Sequence, residues 1–232
     1  MRQVLLLGVN FVRTQWLILL LMSLYLISIS GVFAYNQEVQ EARFFLRLHT
    51  FYLMAMALMV AAPAVHAERR SRRIVAVLSK GIHRWQYLGG ILCGSAMISA
   101  IFCAIVGSVS WLLCIRGGYP VAGLGGLVAA LFACCVMASA AGLFYATFLH
   151  PFLATGAAAL TLALPYIVQR GGWSPRREFF PAVWLVNDVL NFRFGEATGA
   201  AWICVSAAIF TILFWIAAAA TFARRDVTIS PE

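Results

Sequence analysis

The stretch Leu88–Ile115, LGGILCGSAMISAIFCAIVGSVSWLLCI, contains no Asp, Glu, Lys, Arg or His. A membrane helix needs roughly 20 mostly apolar residues to cross about 30 Å of hydrocarbon, and this run exceeds that length. Tilt, or small residues lining a bundle interface, accommodates the surplus, and Gly94, Ser95, Ser99, Gly107 and Ser108 supply the small residues. Arg116-Gly-Gly-Tyr-Pro120 follows as a tight connection, then a second long apolar run from Val121 to Leu149. Two such runs, joined so briefly, read as an antiparallel pair of membrane-spanning helices.

Working outward, the same pattern repeats. His150-Pro151 separates the Val121–Leu149 run from a further one over Phe152–Val168, because the residue before proline is pushed out of helical geometry. On the N-terminal side, spans are expected over Trp16–Tyr35 and His49–His66, separated by the polar NQEVQEARFFLR, with Pro63 placed where a kink is tolerable. The last span is expected over Ala200–Ala220. The opening MRQVLLLGVNFVRTQW sets Leu5, Leu6, Val9, Phe11 and Val12 among Arg2, Asn10 and Arg13, a pattern suited to a short helix lying in the membrane interface. This apolar N-terminal region runs past signal-peptide length without a convincing small-residue cleavage site, so it is expected to stay on the protein.

Composition agrees. Hydrophobic residues make up 63% of the chain and charged residues 11%, with a mean hydropathy of +0.90, which excludes an ordinary soluble domain. The net charge of +9 does not indicate nucleic acid, because the basic residues sit at the ends of apolar runs. Cys93, Cys103, Cys114, Cys134, Cys135 and Cys204 fall inside apolar stretches without metal-ligand spacing and read as small packing residues.

The fold class expected is therefore an all-α polytopic membrane protein: one transmembrane domain over residues 1–232 with six transmembrane helices. Residues 1–15 form an interfacial helix, 67–86 a cytoplasmic loop, 170–199 an outer amphipathic segment and 221–232 a cytoplasmic tail. An even number of spans puts Arg2, Arg13, Arg69, Arg70, Arg72, Arg73, Lys80, Arg84, Arg224 and Arg225, ten of the 17 basic residues, on one side. The positive-inside rule makes that side cytoplasmic and places both termini there, in an inner (cytoplasmic) membrane. The outer segment mixes charge, Pro, Gly and aromatics, and within it Phe180, Val183, Trp184, Leu185, Val189, Leu190 and Phe192 alternate with polar residues as in an interface-lying helix.

No catalytic constellation stands out. The chain has no Gly-rich phosphate loop ending in Lys-Ser or Lys-Thr, no HExxH and no Cys-x-x-Cys. It also lacks an Asp-rich cluster suited to Mg²⁺. His49, His66 and His150 are expected at span ends, in interfacial or packing roles rather than a proton relay. Energy for any transport is then expected from another polypeptide. The informative loop is AERRSRRIVAVLSKGIHRWQY, residues 67–87, where four arginines precede the apolar Ile74–Leu78 and a Gly81 break. Topology needs the charges but not the apolar face, so the loop reads as a docking element as well as a topogenic one.

From Glu68 to Tyr87 this loop resembles the first cytoplasmic loop of type 2 ABC exporter permeases. There an acidic-basic start leads into a short coupling helix, a turn and a return into the third span. Phe222-Ala-Arg-Arg-Asp-Val227 is similar to that family's usual ending. Arg72-Arg73 stands where the family often has Gly-Thr, and Gly81 where it often has Pro. The extra arginines suit an acidic ATPase groove or anionic lipid.

The resemblance implies a transmembrane subunit of an ATP-driven exporter. It would form the translocation path for an amphipathic, lipid-linked, peptide or drug-like cargo, together with a second permease copy or a similar permease. Separate cytosolic ABC ATPase subunits would hold ATP and Mg²⁺. The chain itself would be no enzyme, would carry no cofactor or metal and would bind no nucleic acid; its surroundings would be the lipid bilayer. Coupling would fall to Glu68, Arg69, Arg72, Arg73, Leu78, Gly81, Ile82 and Arg84. Phe179, Phe180, Trp184 and Phe192 would form an outer gate or release surface. The alternatives are a haem-exporter-type permease, an integral-membrane lipid-modifying enzyme and a membrane scaffold.

Overall fold

A computed structural model describes residues 2–35, 39–70, 82–116, 121–170, 180–191 and 197–224, and it is helical almost throughout. In chain order the helices are α1 (Arg2–Thr14), α2 (Trp16–Tyr35), α3 (Val39–Ala61) and α4 (Ala64–Arg70), then α5 (Arg84–Arg116), α6 (Leu124–Ala146), α7 (Pro151–Arg170), α8 (Pro181–Asn191) and α9 (Ala197–Arg224). Among the described residues five helices are long and apolar enough to cross a membrane. They run over Phe44–Glu68, Arg84–Arg116, Leu124–Ala146, Pro151–Val168 and Gly199–Arg224, and the number rises to six if the bent pair α1 and α2 counts as one span.

The breaks have local causes. Between α1 and α2 the axis turns by 65°. There the Gln15 amide is shared between the carbonyls of Phe11 and Val12, and the Thr14 hydroxyl donates back to Phe11 O at 2.7 Å, a competition that bends helices. At Pro63 the missing N–H and the ring clash interrupt α3, and helix resumes with Ala67 N–H donating to Pro63 O. α6 ends at Thr147, whose hydroxyl donates to Phe144 O, and α7 starts on Pro151 with Ala154 N–H donating to His150 O at 2.8 Å.

α6 is the centre of the bundle. Its Ala, Cys, Ser and Gly side chains let α3, α5 and α9 approach closely, so most of its length is buried, whereas α7 leaves most of its surface outward. The tightest crossing joins α1 to α5. A Cβ on Gly94 would lie 2.8 Å from Gly8 O and 2.7 Å from the Phe11 ring, and one on Gly90 would lie 2.5 Å from Leu7 Cβ. Only glycine permits that approach. The opposite face of α1 exposes Leu5, Leu6 and Val9, and α2 exposes Leu17, Leu20, Leu21, Leu24 and Ile27, surfaces that hydrocarbon rather than water would cover.

Two expectations are revised. α3 begins at Val39 rather than near His49, because Phe45 and Leu46 turn into the core while Arg47 stays exposed; part of the expected polar connection is amphipathic helix. His49 is consequently inside the helix, 1% exposed, with Nδ1 donating to Phe45 O at 2.7 Å. The first turns of α8 are not laid on a surface either. Pro181, Ala182, Val183, Leu185 and Val186 are buried among α3, α6, α7 and α9.

Candidate functional site

One end of the bundle gathers the end of α4, the start of α5, the turn between α6 and α7, and the end of α9. Arg84, in the first turn of α5, donates through Nη1 to the carbonyl oxygens of Phe222 at 3.0 Å and Ala223 at 2.9 Å. A guanidinium that donates to backbone carbonyls makes charge-assisted hydrogen bonds, which are stronger than neutral ones. The Arg84 guanidinium also lies 6.0 Å from the centre of the Phe222 ring. Tyr87 stacks on the same ring at 6.3 Å, and Trp85 meets Trp215 edge-on at 6.2 Å. From the α6 side Thr147 and Thr221 share a hydrogen bond of 2.9 Å. The end of α9 is thus held by α5 and α6 together.

Of the residues expected to couple to an ATPase, Glu68 is half-buried on α4, and Ile82 and Arg84 are half-buried at the entry to α5. Arg69 belongs to α4. Arg72, Arg73, Leu78 and Gly81 lie outside the described residues. His66 and His150, expected as separate span-end histidines, come together at this end with ring centres 5.4 Å apart.

Away from that end, α6, α7, α8 and α9 line a half-open pocket of about 100 Å³ with a mainly apolar wall. Phe180, Ala182 and Val183 enter it from the start of α8, facing Met137, Pro165 and Phe210. Thr161, also in the wall, is tied to Tyr145 by a 2.7 Å hydroxyl hydrogen bond. Of the expected gate residues, Phe180 lines this cavity and Trp184 is half-buried behind it; Phe179 and Phe192 lie outside the described residues.

No group of three or more His, Cys, Asp or Glu side chains among the described residues is arranged to hold a metal ion. The chemistry available at the Arg84 end is mechanical and electrostatic: charge-assisted hydrogen bonding, aromatic stacking and two adjacent imidazoles. Sequence reasoning placed Arg84 in the loop but missed its partner. No local signal names that partner, because the two residues lie on helices far apart in the chain. Neither a protein-family model nor a curated protein matches this chain.

Proposed function

We propose that this chain is the transmembrane subunit of a type 2 ABC exporter, with the Arg84 end cytoplasmic, α1 lying in the inner interface and α2 serving as the first of six spans. The observation that carries the reading is the joint between Arg84 and the end of α9. The expected coupling loop starts on α4 and ends on α5, and the start of α5 is fixed to the last helix within its first turn. A force applied to the loop by closing ATPases is then delivered to α5 and α9 as a unit, with α6 held to them through Thr147 and Thr221. Rigid-body tilting of packed helices is a recognised way to turn such a push into an opening.

Two permeases and two cytosolic ATPase subunits make up the assembly, and ATP hydrolysis with Mg²⁺ belongs to the ATPases. The cargo class that fits is amphipathic, lipid-linked, peptide or drug-like. The spans carry little charge, and the wall of the small pocket beside Phe180 is mainly apolar. A photo-crosslinking side chain in place of Leu78 tests the docking surface in cells. Capture of a nucleotide-binding subunit supports the reading; capture of lipid alone assigns the loop to the headgroups.

A further inference from the structure

We infer that His66 and His150 form a two-imidazole site for a divalent transition ion of the Cu²⁺, Zn²⁺ or Ni²⁺ class. The two rings come from separate elements, α4 and the turn before α7, both side chains are exposed, and their ring centres are 5.4 Å apart at an interplanar angle of 60°. Metal–imidazole bonds of about 2.0–2.1 Å, about 1.1 Å more to each ring centre and a tetrahedral angle put the centres of two imidazoles on one ion about 5.2 Å apart. The centre-to-centre spacing already present is close to that of a bis-imidazole complex. Both lie on ordered backbone: Ala154 N–H donates to His150 O, and His66 sits in α4, where Ala67 N–H donates to Pro63 O. Imidazole selects this class of ion over Mg²⁺ or Ca²⁺, and with no third protein ligand gathered among the described residues, water completes the shell. Such a site is labile rather than structural, and an occupying ion staples the end of α4 to the turn between α6 and α7. The inference stands independently of the exporter reading.

The test is electron paramagnetic resonance of the full chain in lipid nanodiscs, purified on a tag without histidine and given one equivalent of Cu²⁺. The expected spectrum shows coupling to two imidazole nitrogens. His66→Ala and His150→Ala each reduce it to one and weaken Cu²⁺ binding at least about tenfold, whereas His83→Ala leaves it unchanged. Thermal melting of each variant in the absence of copper checks that the fold is retained. A wild-type spectrum with one imidazole nitrogen or none, or a spectrum indifferent to His150→Ala in a folded variant, overturns the inference.

Discussion

The side chain of Arg84 donates to the carbonyl oxygen of Phe222, although 138 positions separate the two residues, and both that guanidinium and the ring of Tyr87 lie against the Phe222 ring. A charged donor shared by two backbone carbonyls does more than a surface ion pair, because hydrogen bonds from a charged group are stronger than neutral ones. Arg84→Gln removes the charge and the fork. The expected loss is about 1.5–3 kcal/mol, read as a lower melting temperature in nanodiscs. Arg84→Lys should fall between, since it keeps the charge but replaces the flat, weakly hydrated guanidinium beside the Phe222 ring with a strongly hydrated ammonium.

The α1–α5 crossing gives a second prediction with an internal control. Alanine is favoured over glycine in a helix by about 1 kcal/mol, so Gly→Ala stabilises where space allows. A Cβ at Gly156 meets nothing within 4 Å, and Gly156→Ala should hold or raise the melting temperature. At Gly94 the same methyl would sit 2.8 Å from the Gly8 carbonyl oxygen, a backbone atom that cannot rotate away. Gly94→Ala should displace α1, lower the melting temperature and increase labelling of a cysteine placed at Val4.

The hydroxyl pairs between helices should contribute measurably but modestly. Thr147 and Thr221 meet at 2.9 Å and each also lies within reach of a carbonyl of its own helix; with one proton per hydroxyl, one donates to the other and the second to its carbonyl, so neither is orphaned when the other is removed. A double-mutant cycle with Thr147→Val and Thr221→Val should return a coupling of about 0.6 kcal/mol, the usual size for such bonds within membranes. A coupling near zero would mean that packing alone joins α6 to α9 here.

Within the loop, the sequence pattern separates turn from docking face. Gly81→Pro preserves a turn, whereas Leu78→Asp puts charge on the apolar stripe of Ile74–Leu78. ATPase recovery with the purified chain should survive the first change and fail with the second. Equal loss in both variants would count against a docking role for that stripe.

Most helices were legible because their apolar runs end in charge, glycine or proline: Arg84–Arg116, Leu124–Ala146 and Pro151–Arg170 each start or stop within a few residues of such a signal. The start of α3 was not, since Glu41, Arg43 and Arg47 look like a polar loop until Phe45 and Leu46 are seen to share a buried face. The burial of α8 was hidden for a related reason: its amphipathic pattern fits a membrane surface as well as a cleft between helices. The pairings of Arg84 with Phe222 and of His66 with His150 join distant segments, and no local periodicity carries such information.

The most direct measurement for the central claim is purification of the tagged chain in mild detergent, with mass spectrometry and an ATPase assay on the proteins that accompany it. The account predicts a stoichiometric nucleotide-binding subunit with ATP turnover, lost when Arg72 and Arg73 are both reversed to Glu while the melting temperature of the chain holds. A folded chain that repeatedly purifies without any ATPase, in several detergents and in nanodiscs, would contradict it.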